Sequence, residues 1–183
     1  MSSGQKNSEM DEKLPARRRM VAALVLALGS LAARSVAASR PQQKMTEGQS
    51  TGAEGLLTYL HQEVDFQAAP HRVYEALLDS KQFAAFTGMT AEIHREPGGA
   101  FSQFGGIITG RNVELLPGQR IVQAWRPGSW DPGVYSLVKF ELQPRDAGTR
   151  LVLDHTGFPE GAFRHLNTGW YLRYWEPLKK FLA

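Results

Sequence analysis

Apolar and polar residues alternate from Thr58 to Phe66 (TYLHQEVDF), the period of a half-buried strand. The pattern then changes to a helical one. Pro70 suits a first helical turn, and Val73, Tyr74, Leu77 and Leu78 form one apolar stripe behind it. Ser80 is placed to cap a second short helix containing Phe83 and Phe86. From Ala91 to His155 five apolar segments are separated by turn residues, among them Pro97-Gly98-Gly99, Gly105-Gly106, Pro117-Gly118 and Asp146-Ala147-Gly148. That spacing predicts an antiparallel meander. The last stretch, Glu160 to Ala183, carries Phe163, Leu166, Trp170 and Tyr174 at steps of three or four and predicts a long amphipathic helix. Pro177 removes one helical hydrogen bond, so a kink or an end to the regular helix is expected there.

The first 55 residues follow other rules. Arg17-Arg18-Arg19 precedes the apolar run Met20 to Ala33, and Val36-Ala37-Ala38 supplies the small residues of a cleavage site. This is the grammar of an export signal, predicted over 1–38. The run is about 14 residues, short of the ~20 that span a bilayer, so an uncleaved membrane anchor is the alternative. Arg17 to Val21 also resembles the twin-arginine export motif, with Ala16 where a polar residue is usual. Residues 39–55 are polar and aperiodic, as a linker would be, and the folded domain is expected over 56–183. The expected location is periplasmic or extracellular, with membrane contact only through the signal.

Composition removes several classes of function. The chain of 183 residues fits one domain with an appendage, and its 42% hydrophobic and 21% charged residues are ordinary globular usage. Its net charge of +3 resides in the leader, which holds six Lys/Arg against three acids and leaves fifteen of each downstream. Nucleic acid is therefore not an expected partner. The absence of cysteine excludes disulfides, thiol catalysis and thiolate metal sites.

The order of elements, α+β with two short helices after the first strand and a curved antiparallel sheet of about six or seven strands around a long C-terminal helix, resembles the helix-grip fold of the START-like (SRPBCC) superfamily. The opening Val64-Asp65-Phe66-Gln67-Ala68-Ala69-Pro70 with Val73-Tyr74-Glu75-Ala76-Leu77 carries part of that likeness. The ending Leu151 to Pro159, with His165, Gly169-Trp170 and Leu178 to Leu182, is similar to the C-terminal domain family of activators of 90-kDa heat-shock-protein ATPase. The resemblance implies a cavity between sheet and long helix. It leaves function open, because lipid carriers, hormone receptors, polyketide cyclases and a co-chaperone domain share the fold.

The chemistry-bearing residues are few. His155 shares strand parity with Leu151 and Leu153 and faces whichever side they face. It is a candidate for ligand contact or proton transfer, or else a packed histidine bonded to backbone or to the long helix. Trp125, Trp170 and Tyr174 are candidates for the walls of an apolar cavity, and Trp130, in a loop, for its entrance. His165 with His155 lacks a third ligand, so no metal is expected. No G-x-S-x-G, phosphate loop or dinucleotide fingerprint occurs, and no cofactor is expected. The favoured function is a non-catalytic binding module for a small apolar or amphipathic molecule. The alternatives are a cyclase- or hydrolase-like enzyme using His155 with Tyr135 or Tyr174, and a chaperone-like interaction domain.

Overall fold

The computed structural model describes residues 54–183, so the predicted export signal and most of the predicted linker lie outside the described residues. Strand β1 (Tyr59–Phe66) leads into helices α1 (Pro70–Leu78) and α2 (Ser80–Thr87). Strands β2 (Glu92–Ile93), β3 (Ala100–Gln103), β4 (Ile108–Leu116), β5 (Arg120–Pro127), β6 (Ser136–Arg145) and β7 (Gly148–Thr156) follow. The meander thus has six strands rather than the five counted from the pattern, since the five turns between Ala91 and His155 delimit six segments, the first of which holds the two-residue β2.

With β1 the strands form one seven-stranded antiparallel sheet in the order β1-β7-β6-β5-β4-β3-β2. Leu60, Gln62, Val64 and Phe66 of β1 are all buried, and their neighbours alternate outward. Register carries this parity across the sheet: Leu60 pairs with His155 and His155 with Val138, while Gln62 pairs with Leu153 and Leu153 with Phe140. Cross-strand rows of this kind give the sheet one continuous inner face. On the outer face, Asp154 accepts hydrogen bonds from Tyr59 (3.0 Å) and His61 (2.7 Å) and lies 3.0 Å from Lys139. Gly110 in β4 admits no side chain, because a Cβ there would collide with the Ala124 carbonyl and the Phe101 ring.

The cap of α2 is Asp79 rather than Ser80: its carboxylate accepts from the N–H groups of Lys81 (3.1 Å) and Gln82 (2.9 Å). Ser80 instead accepts from the Ile93 N–H at 2.9 Å, tying α2 to β2.

The C-terminal helix begins at Phe163 and has three continuous parts: α3 (Phe163–Gly169), a π-helical segment (Trp170–Trp175) and α4 (Glu176–Leu182). Residues 160–162 form a turn before it. Pro177 falls two residues after the π-helical segment within this continuous helix, so its missing N–H leaves a carbonyl of the preceding widened turn without that donor. The predicted irregularity is real but lies upstream, as widened turns.

Candidate functional site

Widening the helix at Trp170–Trp175 changes which residues face inward. In a regular helix Trp170 and Tyr174 share a face and Trp175 turns partly away. Here Trp170, Tyr174 and Trp175 are all buried, with Trp170 and Trp175 stacked at 5.5 Å and 17° between planes. Each uses its polar atom on a different strand. Trp170 donates to His155 Nδ1 on β7 (3.1 Å), Tyr174 to Gln103 Oε1 on β3 (3.0 Å) and Trp175 to Gln62 Oε1 on β1 (2.5 Å). Gln62 in turn donates to Asn167 Oδ1 at 2.7 Å, closing a second tie to the helix.

His155 is fully buried. Since Nδ1 accepts from Trp170, the ring proton resides on Nε2, which donates to Ser136 Oγ at 2.7 Å. Ser136 in turn donates its hydroxyl hydrogen bond to the Trp125 carbonyl at 3.0 Å. Desolvation pushes the imidazole down to about 3, so it is neutral at physiological pH. The rings of Trp125, Phe158 and Trp170 pack on it at 5.0–5.7 Å.

In front of this wall lies a cavity of about 430 Å³. Its sheet side is made by Phe104, Ile107 and Ile108 and by Trp125 with Pro127, and Trp130 of the β5–β6 loop joins the lining. Arg126 holds that loop by donating to the carbonyls of Trp130 (2.7 Å) and Asp131 (3.2 Å). The helix contributes two parallel rows with a spacing of four. Leu166, Trp170 and Tyr174 form a buried inner row, while His165, Gly169 and Arg173 form an outer row at the rim. Gly169 is helical (φ −60°, ψ −42°), and a Cβ added there meets nothing within 4 Å. Phe104, at φ 53°, is the only non-glycine residue with positive φ among the described residues, and it is held there by edge contacts with Phe83 (5.3 Å) and Tyr174 (5.1 Å).

Three of the four sequence candidates, Trp125, Trp170 and Tyr174, line this cavity, and Trp130 joins them. His155 is one layer behind, screened by Trp125 and Trp170, and is absent from the lining. Tyr135 lies on a separate shallow depression with Phe101 and Arg111. Burial holds the Tyr174 phenol above its usual range, opposed by the buried Trp125 N–H beside it, which lies near the phenol oxygen without regular hydrogen-bond geometry. Sequence reasoning passed over Gln62, Gln103, Gly169 and Arg173. The inward parity of Gln62 was the available signal for the first of them. Among the described residues no three His, Asp or Glu side chains converge as metal ligands would.

Residues 67–183 match the family described as Activator of Hsp90 ATPase homolog 1-like protein. The chain belongs to this family. It is 35% identical over 108 residues to the Activator of 90 kDa heat shock protein ATPase homolog of Dictyostelium discoideum, a match covering 58% of this chain and 28% of that one. To homolog 1 of Homo sapiens it is 23% identical over 142 residues, covering 78% and 42%. The chain therefore matches less than half the length of these relatives. Among solved structures, an HSP90 activator from Plasmodium falciparum superposes with a TM-score of 0.61 at 23% identity, over 66% of this chain and 91% of that one. The Aha1 dimer from Colwellia psychrerythraea gives 0.60 at 17%, over 69% and 96%. At these identities the structures establish the shared α+β helix-grip fold.

Proposed function

We propose that this protein is a non-catalytic binding protein for a small apolar or amphipathic molecule, carried between sheet and C-terminal helix and acting outside the cytoplasm after loss of residues 1–38. The observation behind this reading is the cavity of about 430 Å³, walled by Trp125, Trp130, Trp170 and Tyr174 and open beside Gly169. Its volume lies in the range of small-molecule sites, which are concave and mostly apolar with few polar groups. Export rests on the Arg17-Arg18-Arg19 cluster, the apolar run and Val36-Ala37-Ala38.

The enzyme alternative depends on His155 as a proton-transfer group. A general base must reach substrate with a free nitrogen, and both ring nitrogens of His155 are engaged behind the cavity wall.

The test uses Gly169→Leu, which places a side chain in the opening while replacing a helical glycine that weakens the helix by roughly 1 kcal/mol. Native mass spectrometry of full-length chain expressed in its own cell envelope is expected to find a small molecule on the wild type and none on the variant. The denaturation midpoint of Gly169→Leu should be equal or higher. The protein mass should lack residues 1–38. Equal occupancy of both proteins, or occupancy of neither, rejects the cavity reading.

A second reading has support in the relatives' names and in Tyr171 and Leu172, large side chains that stay exposed on the outer face of the helix. It holds that the domain stimulates an Hsp90-type ATPase. An increase in chaperone turnover on adding the chain, abolished by Leu172→Asp and retained by Gly169→Leu, would support it over the cavity reading.

A further inference from the structure

The lining of the cavity has an electrical polarity that its apolar walls obscure. None of its side chains is acidic, while Arg173 and His165 occupy the rim. Both belong to the outer row of the helix, one turn on either side of Gly169, so they flank the opening. Arg173 has no carboxylate within 4.0 Å among the described residues, which is equally true of Arg72, Arg111, Arg126 and Arg145, but it is the one arginine in the cavity lining. A guanidinium beside an apolar pocket, with no acid to pair it, favours an anion whose remainder is apolar. A cationic occupant would meet repulsion at the rim, and a neutral one would gain nothing from it.

Building on the cavity reading above, we propose that the occupant is a monocarboxylic acid with a ring-containing or branched apolar body. The body packs against Trp125, Trp130 and Trp170, and the carboxylate sits at the rim on Arg173, with His165 beside it. A planar guanidinium can donate two parallel bonds to a carboxylate, and because Arg173 is exposed such a pair is weakened by water and sensitive to salt.

The test compares 2-naphthylacetic acid with 2-naphthylacetamide, which have the same body and differ in charge. Binding to the full chain is followed by calorimetry and by quenching of tryptophan emission, because three of its four tryptophans line the cavity. The acid is expected to bind wild type about 2- to 5-fold tighter than the amide, in line with an ion pair at an exposed rim. Raising salt should weaken the acid alone. Arg173→Gln should bring the acid down to the amide without moving the amide, and Arg173→Lys should recover part of the difference. Arg173 is exposed, so its substitution leaves the core intact. Equal affinities in wild type, or a ratio unchanged by Arg173→Gln, would overturn the carboxylate assignment and leave the cavity standing. If neither probe binds, or Gly169→Leu binds both as well as wild type does, the cavity reading falls and this proposal falls with it.

Discussion

The indole N–H of Trp170 meets Nδ1 of His155 at 3.1 Å, and that one bond determines the protonation pattern of the wall behind the cavity. From it run Nε2–H of His155 to Ser136 and the Ser136 hydroxyl to the Trp125 carbonyl. Every member donates once in the same direction. A buried chain of this kind is rigid when complete and costly when interrupted.

Trp170→Ala should lower stability by about 3–5 kcal/mol, since it leaves a void against Trp125, Phe140 and Trp175 and strips Nδ1 of its donor. Trp170→Phe separates the two effects. It keeps most of the packing but orphans Nδ1, for an expected cost of about 1–3 kcal/mol. Urea denaturation of both variants measures this, and a loss under about 1 kcal/mol for Trp170→Ala would mean the ring is not integral to the wall.

Trp175 and Gln62 should behave as a coupled pair. Trp175 is fully buried and its N–H reaches Gln62, so Gln62→Leu leaves an unpaired donor in the core and is expected to cost about 1–3 kcal/mol. In a double-mutant cycle with Trp175→Phe, the second substitution should cost clearly less in the Gln62→Leu background than in wild type. Additive losses would show that the bond contributes nothing measurable.

How far the sequence discloses this architecture depends on whether a feature is periodic. The strand at Thr58 to Phe66 and the stripe of Val73, Tyr74, Leu77 and Leu78 repeat their period long enough to read. Two-residue β2 does not. The π-helical segment also escapes a rule based on steps of three and four, because its signature is the step of five from Trp170 to Trp175. The walls of the cavity were legible as aromatic residues on inward faces. Its opening was not, since Gly169 is defined by what its missing side chain leaves clear, and that depends on the loop carrying Trp130. The strand parity of His155 was likewise readable, but only the packed structure shows that two indoles stand between it and the cavity.

On the outer face of the sheet, the Asp154 hydrogen bond, reinforced by Glu63, raises His61 above its ordinary value. Asp154 itself is held below 3.8: partial burial opposes this, but bonds from His61, Lys139 and Tyr59 outweigh it. Asp154→Asn should therefore lower the His61 midpoint in an NMR titration toward that of an unperturbed imidazole. A midpoint that does not move would assign the shift to another group.

The last prediction concerns stability against pH through His155. Burial pushes its imidazole down to about 3 in the folded protein, against about 6.5 when unfolded. Below pH 6.5 the unfolded chain takes up a proton that the folded chain refuses. The contribution of His155 is thus complete above 6.5 and is lost as pH falls toward 3, at about 1.4 kcal/mol per pH unit. Asp154 acts in the same sense, but at and below its unfolded value of 3.8. His61 acts in the opposite sense and above 6.5, where its raised value makes stability fall as pH rises. The interval between pH 6.5 and 4.5 accordingly reports mainly on His155. Wild type should lose about 2–3 kcal/mol across it by chemical denaturation. His155→Gln, which starts about 1–3 kcal/mol less stable because it disturbs the bonds to Ser136 and Trp170, should show a much flatter profile. Its affinity for 2-naphthylacetic acid should stay close to that of wild type, because His155 stands behind the cavity wall. Parallel pH profiles for the two proteins would show that the buried imidazole accepts a proton without unfolding the wall, and a variant of unchanged stability that fails to bind would place His155 in contact with the ligand.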